Sequence, residues 1–351
     1  MPSSSQLATS LAASVLPSPD AALSIGQHLA YVERMVERGG PTPEEYASFD
    51  RWLAHVAADL RAGRMSEGEL RTLHESFGRA LSLETNQGLS LRKPHGYPGD
   101  YEIIDRIYRE HTTDDPTLRN WDLYFHTQAA PRAVRNRKAY FVGLLEALLK
   151  GSSRADMLSV LNVASGPARD IFEFFEGSGY DDRVQFECVD SDSAAIAYAR
   201  RLCGPYLDRI VFRQANALRF TSERRFRLVW SAGLFDYFGD DGFKFLLRRL
   251  LDMLDEEGEL VIGNFSQENA TRDYMEVMGD WNLYHRSEDE LRSLAEACGV
   301  ADEDVRIGRE PEAVNLFLHV KRGSTFIDLP APALRRRDRR LGVPITNPRR
   351  R

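Results

Sequence analysis

Two short segments hold the residues with the clearest chemical potential. VLNVASGPARD (160–170) is an apolar run that breaks at a small-residue loop, Ala164, Ser165 and Gly166, ahead of a helix-forming stretch. A glycine there turns the chain tightly and has no Cβ to hold a ligand off the backbone. N–H groups at the start of the following helix are expected to face the cleft. The next β-rich run, QFECVDSD, ends in Asp190 and Ser191. An acidic side chain at the tip of a second strand is placed to accept hydrogen bonds from two ribose hydroxyls. Capping of the helix SAAIAYARR suits Ser191 or Asp192 better than Asp190. Two later runs aim at the same cleft. QANAL brings Asn216, with Ala217, to where an adenine edge would lie, and WSAGLFDYF brings Ser231, Ala232, Asp236 and Tyr237.

These residues need a frame. From about residue 157 the chain alternates β-rich runs (MLSVLNVA, QFECVD, RIVFRQA, FRLVWSAG, GELVIGNF, NLFLHVKR) with amphipathic helical stretches. That alternation predicts a parallel sheet with helices on both faces, and the uniformly apolar strands fit a sheet covered on both sides. Before it, Ile25, Leu29, Val32 and Val36 share one helix face, and Gly39-Gly40-Pro41 stops that helix. Thr42 is expected to cap a second helix with Pro43 in its first turn, and a third runs from about Ser66 to Ala80. Residues 84–137, crowded with aromatics, Gly, Pro and charge, read as a long irregular and therefore functional stretch. The division expected is a tail (1–20), a helical domain (21–150), an α/β domain (151–322) and an Arg-rich tail (323–351).

Composition narrows the class. With 351 residues and 42% apolar content, the chain can bury a large core and is not a disordered polymer. No apolar run approaches the roughly 20 residues that span a bilayer. The three cysteines, Cys188, Cys203 and Cys298, are far apart, which excludes a disulfide scaffold and a thiolate zinc site. The N-terminal stretch lacks a basic region and a continuous apolar core, so a cytoplasmic location is expected. A net charge of −7 argues against nucleic acid, and the arginines of 335–351 read as a solvated tail.

Loop, acid, third-strand polar residue and terminal β-hairpin resemble the class I S-adenosylmethionine-dependent methyltransferases. A dinucleotide-binding alternative lacks GxGxxG, since this loop has one glycine. More narrowly, GYPGDYEIIDRIY, APRAVRNR, SAGLFDYF and GNF…RDYMEVMGDWNLYHRSEDEL resemble a bacterial subgroup over roughly residues 84–322. It includes enzymes similar to those forming 3-hydroxypalmitate methyl ester and, alike in layout, azetidine-2-carboxylate synthases. The resemblance implies a Rossmann-like seven-stranded methyltransferase sheet with an N-terminal helical lid domain, S-adenosyl-L-methionine as cofactor and a small-molecule substrate. It departs from the usual pattern at Asn216, where an acidic residue is customary.

Under that reading, the loop residues, Asp190, Ser191, Asn216, Ala217, Ser231 and Ala232 form the cofactor cleft. Arg135 or Arg137 would clamp a carboxylate, such as the methionyl carboxylate, and Asp100 would take the ammonium. Tyr97, Tyr101, Tyr237, Trp281 and Tyr284 are the catalytic candidates, their ring faces holding a sulfonium by cation–π attraction. Trp121, Tyr124, Phe125 and Phe235 could join them or pack the core. His95, His126 and His285 are candidate bases for a hydroxyl or amine acceptor, whereas a carboxylate acceptor needs none. Three functions compete. The first is methyl transfer to a small molecule, a carboxylic acid being one acceptor class. It requires a second pocket lined by the helical domain and YMEVMGDWNLYH. The second is cyclisation of the cofactor itself, releasing methylthioadenosine. The third is a binding module without turnover.

Overall fold

The computed structural model describes residues 23–153, 156–180, 182–321 and 326. Seven helices come first: α1 (Ile25–Glu37), α2 (Tyr46–Arg61), α3 (Glu67–Ser76), α4 (Asn86–Arg92), α5 (Tyr101–Tyr108), α6 (Arg119–Thr127) and α7 (Ala129–Gly151). Strands and helices then alternate as β1 (Leu158–Val163), α8 (Arg169–Ser178), β2 (Val184–Asp190), α9 (Ser193–Leu202), β3 (Ile210–Gln214) and β4 (Phe226–Ser231). The chain continues through α10 (Asp240–Leu251), β5 (Leu254–Phe265), α11 (Arg272–Gly279), α12 (Glu288–Glu296), β6 (Val305–Arg309) and β7 (Asn315–Lys321).

Local chemistry explains several of these boundaries. Ser24 with Gln27, Ser66 with Glu69 and Ser287 with Glu290 form reciprocal capping boxes at α1, α3 and α12. Thr42 does not cap α2. Its backbone N–H binds the Glu45 carboxylate in a turn holding Pro43, and the helix begins only at Tyr46. Residues 84–137 are not irregular either: α4, α5, α6 and the start of α7 occupy most of them. Gly and Pro there punctuate short helices rather than prevent them.

The seven strands lie in the order β3-β2-β1-β4-β5-β7-β6. The first five are mutually parallel, as the alternation predicts. β7 runs antiparallel between β5 and β6, so the sheet is not wholly parallel. β6 (VRIGR) was not legible because it is five residues long and mostly half-exposed, so neither length nor alternation marks it. This is the Rossmann-like seven-stranded sheet of the methyltransferase fold. The order reverses between β1 and β4, and ligands of open α/β sheets bind at the carboxyl ends of strands there.

The boundary expected at 150/151 is not where the packing divides. Ala133 and Val134 of α7 lie in the core of the helical layer, while Phe141, Leu144 and Leu145 lie in the core beneath the sheet. α7 is therefore a shared spine. The end of β5 and the segment after it cross back as well, since Phe265, Tyr274, Met278 and Trp281 bury into the helical layer. No helix among the described residues is long and apolar enough to cross a membrane. The two expected tails fall almost wholly outside the described residues.

Candidate functional site

A cavity of about 350 Å³ opens at the β1/β4 switch point, within the range of small-molecule sites. Its floor is the β1 tip and the following loop, and its ceiling is the 97–108 segment with α7. Ala164, Gly166 and Ala168 all have left-handed backbone, with φ of 56°, 55° and 52°. Only the glycine adopts this without steric cost, so the loop is a strained turn. The amides of the loop itself are taken up within the protein. The Gly166 N–H donates to Asp190 Oδ2 at 2.8 Å, Ser165 N–H to the Val189 carbonyl and Ala168 N–H to the Ser165 carbonyl. A loop whose donors are consumed internally is poorly suited to a phosphate.

The structure gathers most of the residues singled out from sequence. Tyr97, Tyr101, Arg137, Ala164, Ser165, Gly166, Asp190, Ser191, Ala232, Tyr237 and Trp281 all line this cavity. Asp190 also accepts the Asp192 N–H on Oδ1 at 2.9 Å, so each oxygen keeps lone-pair capacity toward the cavity. Asp192, not Asp190, caps α9 through the Ala194 N–H.

Other expected residues lie elsewhere, each for a visible reason. Asp100 caps α5 through the Glu102 and Ile103 N–H groups and is not among the lining residues. Asn216 folds onto its own turn, accepting the Leu218 N–H at 2.8 Å, and neither it nor Ala217 reaches the cavity. Ser231 donates to the Val163 carbonyl, tying β4 to β1. Tyr284 is 55% exposed, its ring beside Arg286 and Gly239. Trp121, Tyr124 and Phe235 are core residues. His95 pairs with Glu102, His126 meets the His111 carbonyl and Arg135, and His285 meets Asn269; none lines the cavity.

Among the lining residues that escaped sequence reasoning, Asn162, Asp170 and Tyr108 carry groups able to bond a ligand. The signals were faint. Asn162 is the one polar residue inside the apolar run VLNVA, Asp170 ends the loop motif, and Tyr108 repeats Tyr101 and Ile104 on one face of α5.

Three of the residues lining the cavity carry buried unpaired donors. Asn162 Nδ2, Ser165 Oγ and Arg137 Nε are buried without a partner. Unsatisfied buried groups are costly and call for an explanation, a ligand being one. The Arg137 guanidinium is held by the Ala232 carbonyl and sits beside Gly233 and the Tyr108 hydroxyl. Burial pushes the carboxyls of Asp170 and Asp236 up to about 6, opposed by backbone N–H bonds and by Arg137. Asp190 is raised by burial too, its N–H bonds pulling the other way. Among the lining residues, three carboxyls thus face a single basic side chain.

Gly99 is required by close packing. A Cβ there would stand 2.6 Å from the Tyr237 hydroxyl and 2.8 Å from Trp281 Cζ2. Trp281 Nε1 in turn donates to the Tyr237 hydroxyl at 3.0 Å, so three distant segments meet at one wall. Behind that wall lies a second, apolar cavity of about 20 Å³. Gln87, Phe125, Tyr274, Met275 and Met278 help line it, and it shares Val134, Phe265 and Trp281 with the first.

No protein-family model and no curated protein matches the chain. Among solved structures, it is similar to a possible exported protein from Bordetella parapertussis, at 18% identity and a TM-score of 0.53, over 88% of this chain and 100% of that one. It also matches magnesium protoporphyrin IX methyltransferase from Synechocystis with bound S-adenosylmethionine (11% identity, TM-score 0.46, 68% and 97% covered). A third match is the N-methyltransferase NodS from Bradyrhizobium japonicum with S-adenosylhomocysteine (15%, 0.40, 64% and 98%). At these identities the likeness is one of fold, and the two methyltransferases superpose too loosely to assign any residue a role.

Proposed function

We propose that the chain is an S-adenosylmethionine-dependent methyltransferase acting on a small molecule. The observation that carries this reading is the set of unpaired donors, Arg137 Nε, Ser165 Oγ and Asn162 Nδ2, in the same cavity as the Asp190 carboxylate and a raised Asp170. Such a set fits an amino acid joined to a ribose. Arg137 and Ser165 would hold the methionyl carboxylate, Asp170 the ammonium, and Asp190 the ribose hydroxyls. The bound cofactor supplies a methyl carbon activated by a sulfonium, which leaves as a neutral thioether.

The chain's own task is alignment and exclusion of water. Tyr97, Tyr101 and Tyr237 line the cavity, and a ring face turned toward a positive centre attracts it, each good contact contributing about 0.5–2 kcal/mol. Methyl transfer needs room for an acceptor on the far side. The room available is in the main cavity of about 350 Å³, where Leu234, Phe238, Phe265 and Leu283 offer an apolar wall; the cavity behind Phe265 and Trp281, at about 20 Å³, holds no more than a water molecule.

Titration calorimetry with S-adenosylhomocysteine is expected to show specific binding to the full chain. Mass spectrometry after incubation with S-adenosylmethionine and a panel of small acceptors is expected to show S-adenosylhomocysteine. Methylthioadenosine released without any acceptor would replace this reading with cyclisation. A chain that binds neither nucleoside is a binding module of another kind.

A further inference from the structure

The acceptor end of the cavity has its own chemistry. Asp236 is 2% exposed and lines the cavity. Its Oδ1 accepts the Phe265 N–H, while no other described residue donates to Oδ2. Beside it, Trp281 donates to the Tyr237 hydroxyl. An indole N–H can only donate, so Tyr237 must spend its lone pair on Trp281 and direct its own hydrogen elsewhere; no described residue accepts it. A carboxylate oxygen and a phenol hydrogen without a described partner therefore belong to consecutive residues of one cavity wall, which Leu234, Phe238, Phe265 and Leu283 also line.

From this juxtaposition we infer that the acceptor is a neutral or cationic small molecule with an apolar ring and an N–H or O–H nucleophile, and that Asp236 binds that group and takes its proton. The inference rests on the methyltransferase reading and deepens it. A carboxylic acid acceptor fits poorly. Among the described residues Arg137 is the only basic side chain lining the cavity, and the cofactor's own carboxylate would occupy it, leaving Asp236 to repel a second anion. In the reaction the nucleophile's lone pair forms the bond to the methyl carbon, and the carbon–sulfur pair departs with sulfur. A neutral nucleophile gives its N–H or O–H proton to the Asp236 carboxylate as the bond forms, whereas an ammonium gives it first and so frees the lone pair; in both cases charge is conserved. The charged and titratable groups facing Asp236 are Arg137 from α7, Arg286 after α11, and Tyr237. Burial raises this carboxyl to about 6, a value suited to a base at neutral pH.

Benzylamine and benzoate, which share a ring and differ in charge, are the probes. Calorimetry at pH 7.5 is run on the full chain, free and saturated with S-adenosylhomocysteine. Benzylamine is expected to bind about tenfold more tightly than benzoate, and to weaken as pH falls through 6. Asp236→Asn keeps an oxygen for the Phe265 N–H. It is expected to lose roughly tenfold in benzylamine affinity, and the pH dependence with it, while S-adenosylhomocysteine binding moves less than twofold. Three results would each overturn the inference: benzoate binding as well as benzylamine, no benzylamine binding, or unchanged amine binding in the variant. Failure of the wild-type chain to bind S-adenosylhomocysteine would instead sink the methyltransferase reading, and the probe preference of the free chain would still decide this one.

Discussion

Asp190 already accepts the Gly166 and Asp192 N–H groups before any ligand arrives. It therefore shapes the loop as well as facing the cavity, and a simple deletion mixes the two roles. Asp190→Ala is expected to weaken S-adenosylhomocysteine binding by about tenfold or more, since charge-assisted hydrogen bonds are among the stronger ones. Asp190→Asn, which keeps one acceptor oxygen for the loop, should fall between. Equal dissociation constants for all three proteins would place the ribose elsewhere. The alternation of strand and helix made Asp190 and Gly166 legible, because the topology puts a second-strand tip beside a first-strand loop. Asn162 was not legible, because a single amide in an apolar strand looks the same whether or not it has a partner.

At the scale of elements, α5 forms the ceiling of the cavity. Tyr101, Ile104 and Tyr108 share its inner face, and Asp105 anchors it to the sheet domain. The Asp105 carboxylate is paired with Arg169 of α8 and accepts the Tyr198 hydroxyl of α9 at 2.7 Å. Removing one partner of a buried pair leaves the other charge uncompensated, at a cost of about 3–5 kcal/mol. Asp105→Ala is therefore expected to lower the melting temperature and to loosen α5 first. Hydrogen exchange of residues 101–108 should quicken more than that of β1 or β4. Uniform acceleration across the chain would show that the pair supports the whole fold rather than this ceiling. Sequence spacing shows which residues share a face of α5, but not that the face looks down on the β1 loop.

For the whole molecule, the buried carboxyls set a pH signature. Asp170 rises from 3.8 to about 6 on folding because burial disfavours its charge. A raised carboxyl holds its proton more tightly in the folded state. Its stabilising contribution is thus complete below about pH 4 and is lost as pH rises through 6. Histidines buried neutral, such as His74 and His126, act oppositely: their contribution is present above about 6.5 and lost as pH falls. Comparing a variant with wild type isolates the carboxyl. The ligand-free Asp170→Asn chain is expected to gain on wild type between pH 4 and 7, by up to about 3 kcal/mol. Thermal melts at pH 4, 5.5 and 7 would show this; a gap that stays constant with pH would mean Asp170 does not titrate as its burial implies.

The sequence alone determined the parts that depend on neighbours along the chain: the strand–helix alternation, the start of the third helix near Ser66, the tight loop at Gly166 and the acid at the next strand tip. Periodicity and topology rules act over tens of residues, so they can be read from a single line of residues. Tertiary structure alone decided which aromatics face the cavity. Tyr237 and Trp281 line it, while Tyr284, three residues beyond Trp281, faces solvent. It also decided that α11 and Trp281 return to the helical layer and that Gly99 closes against both Tyr237 and Trp281. Those outcomes depend on side-chain direction in loops and on close contact between segments far apart in the chain. No local spacing encodes either, because each is settled only when the separate surfaces are packed together.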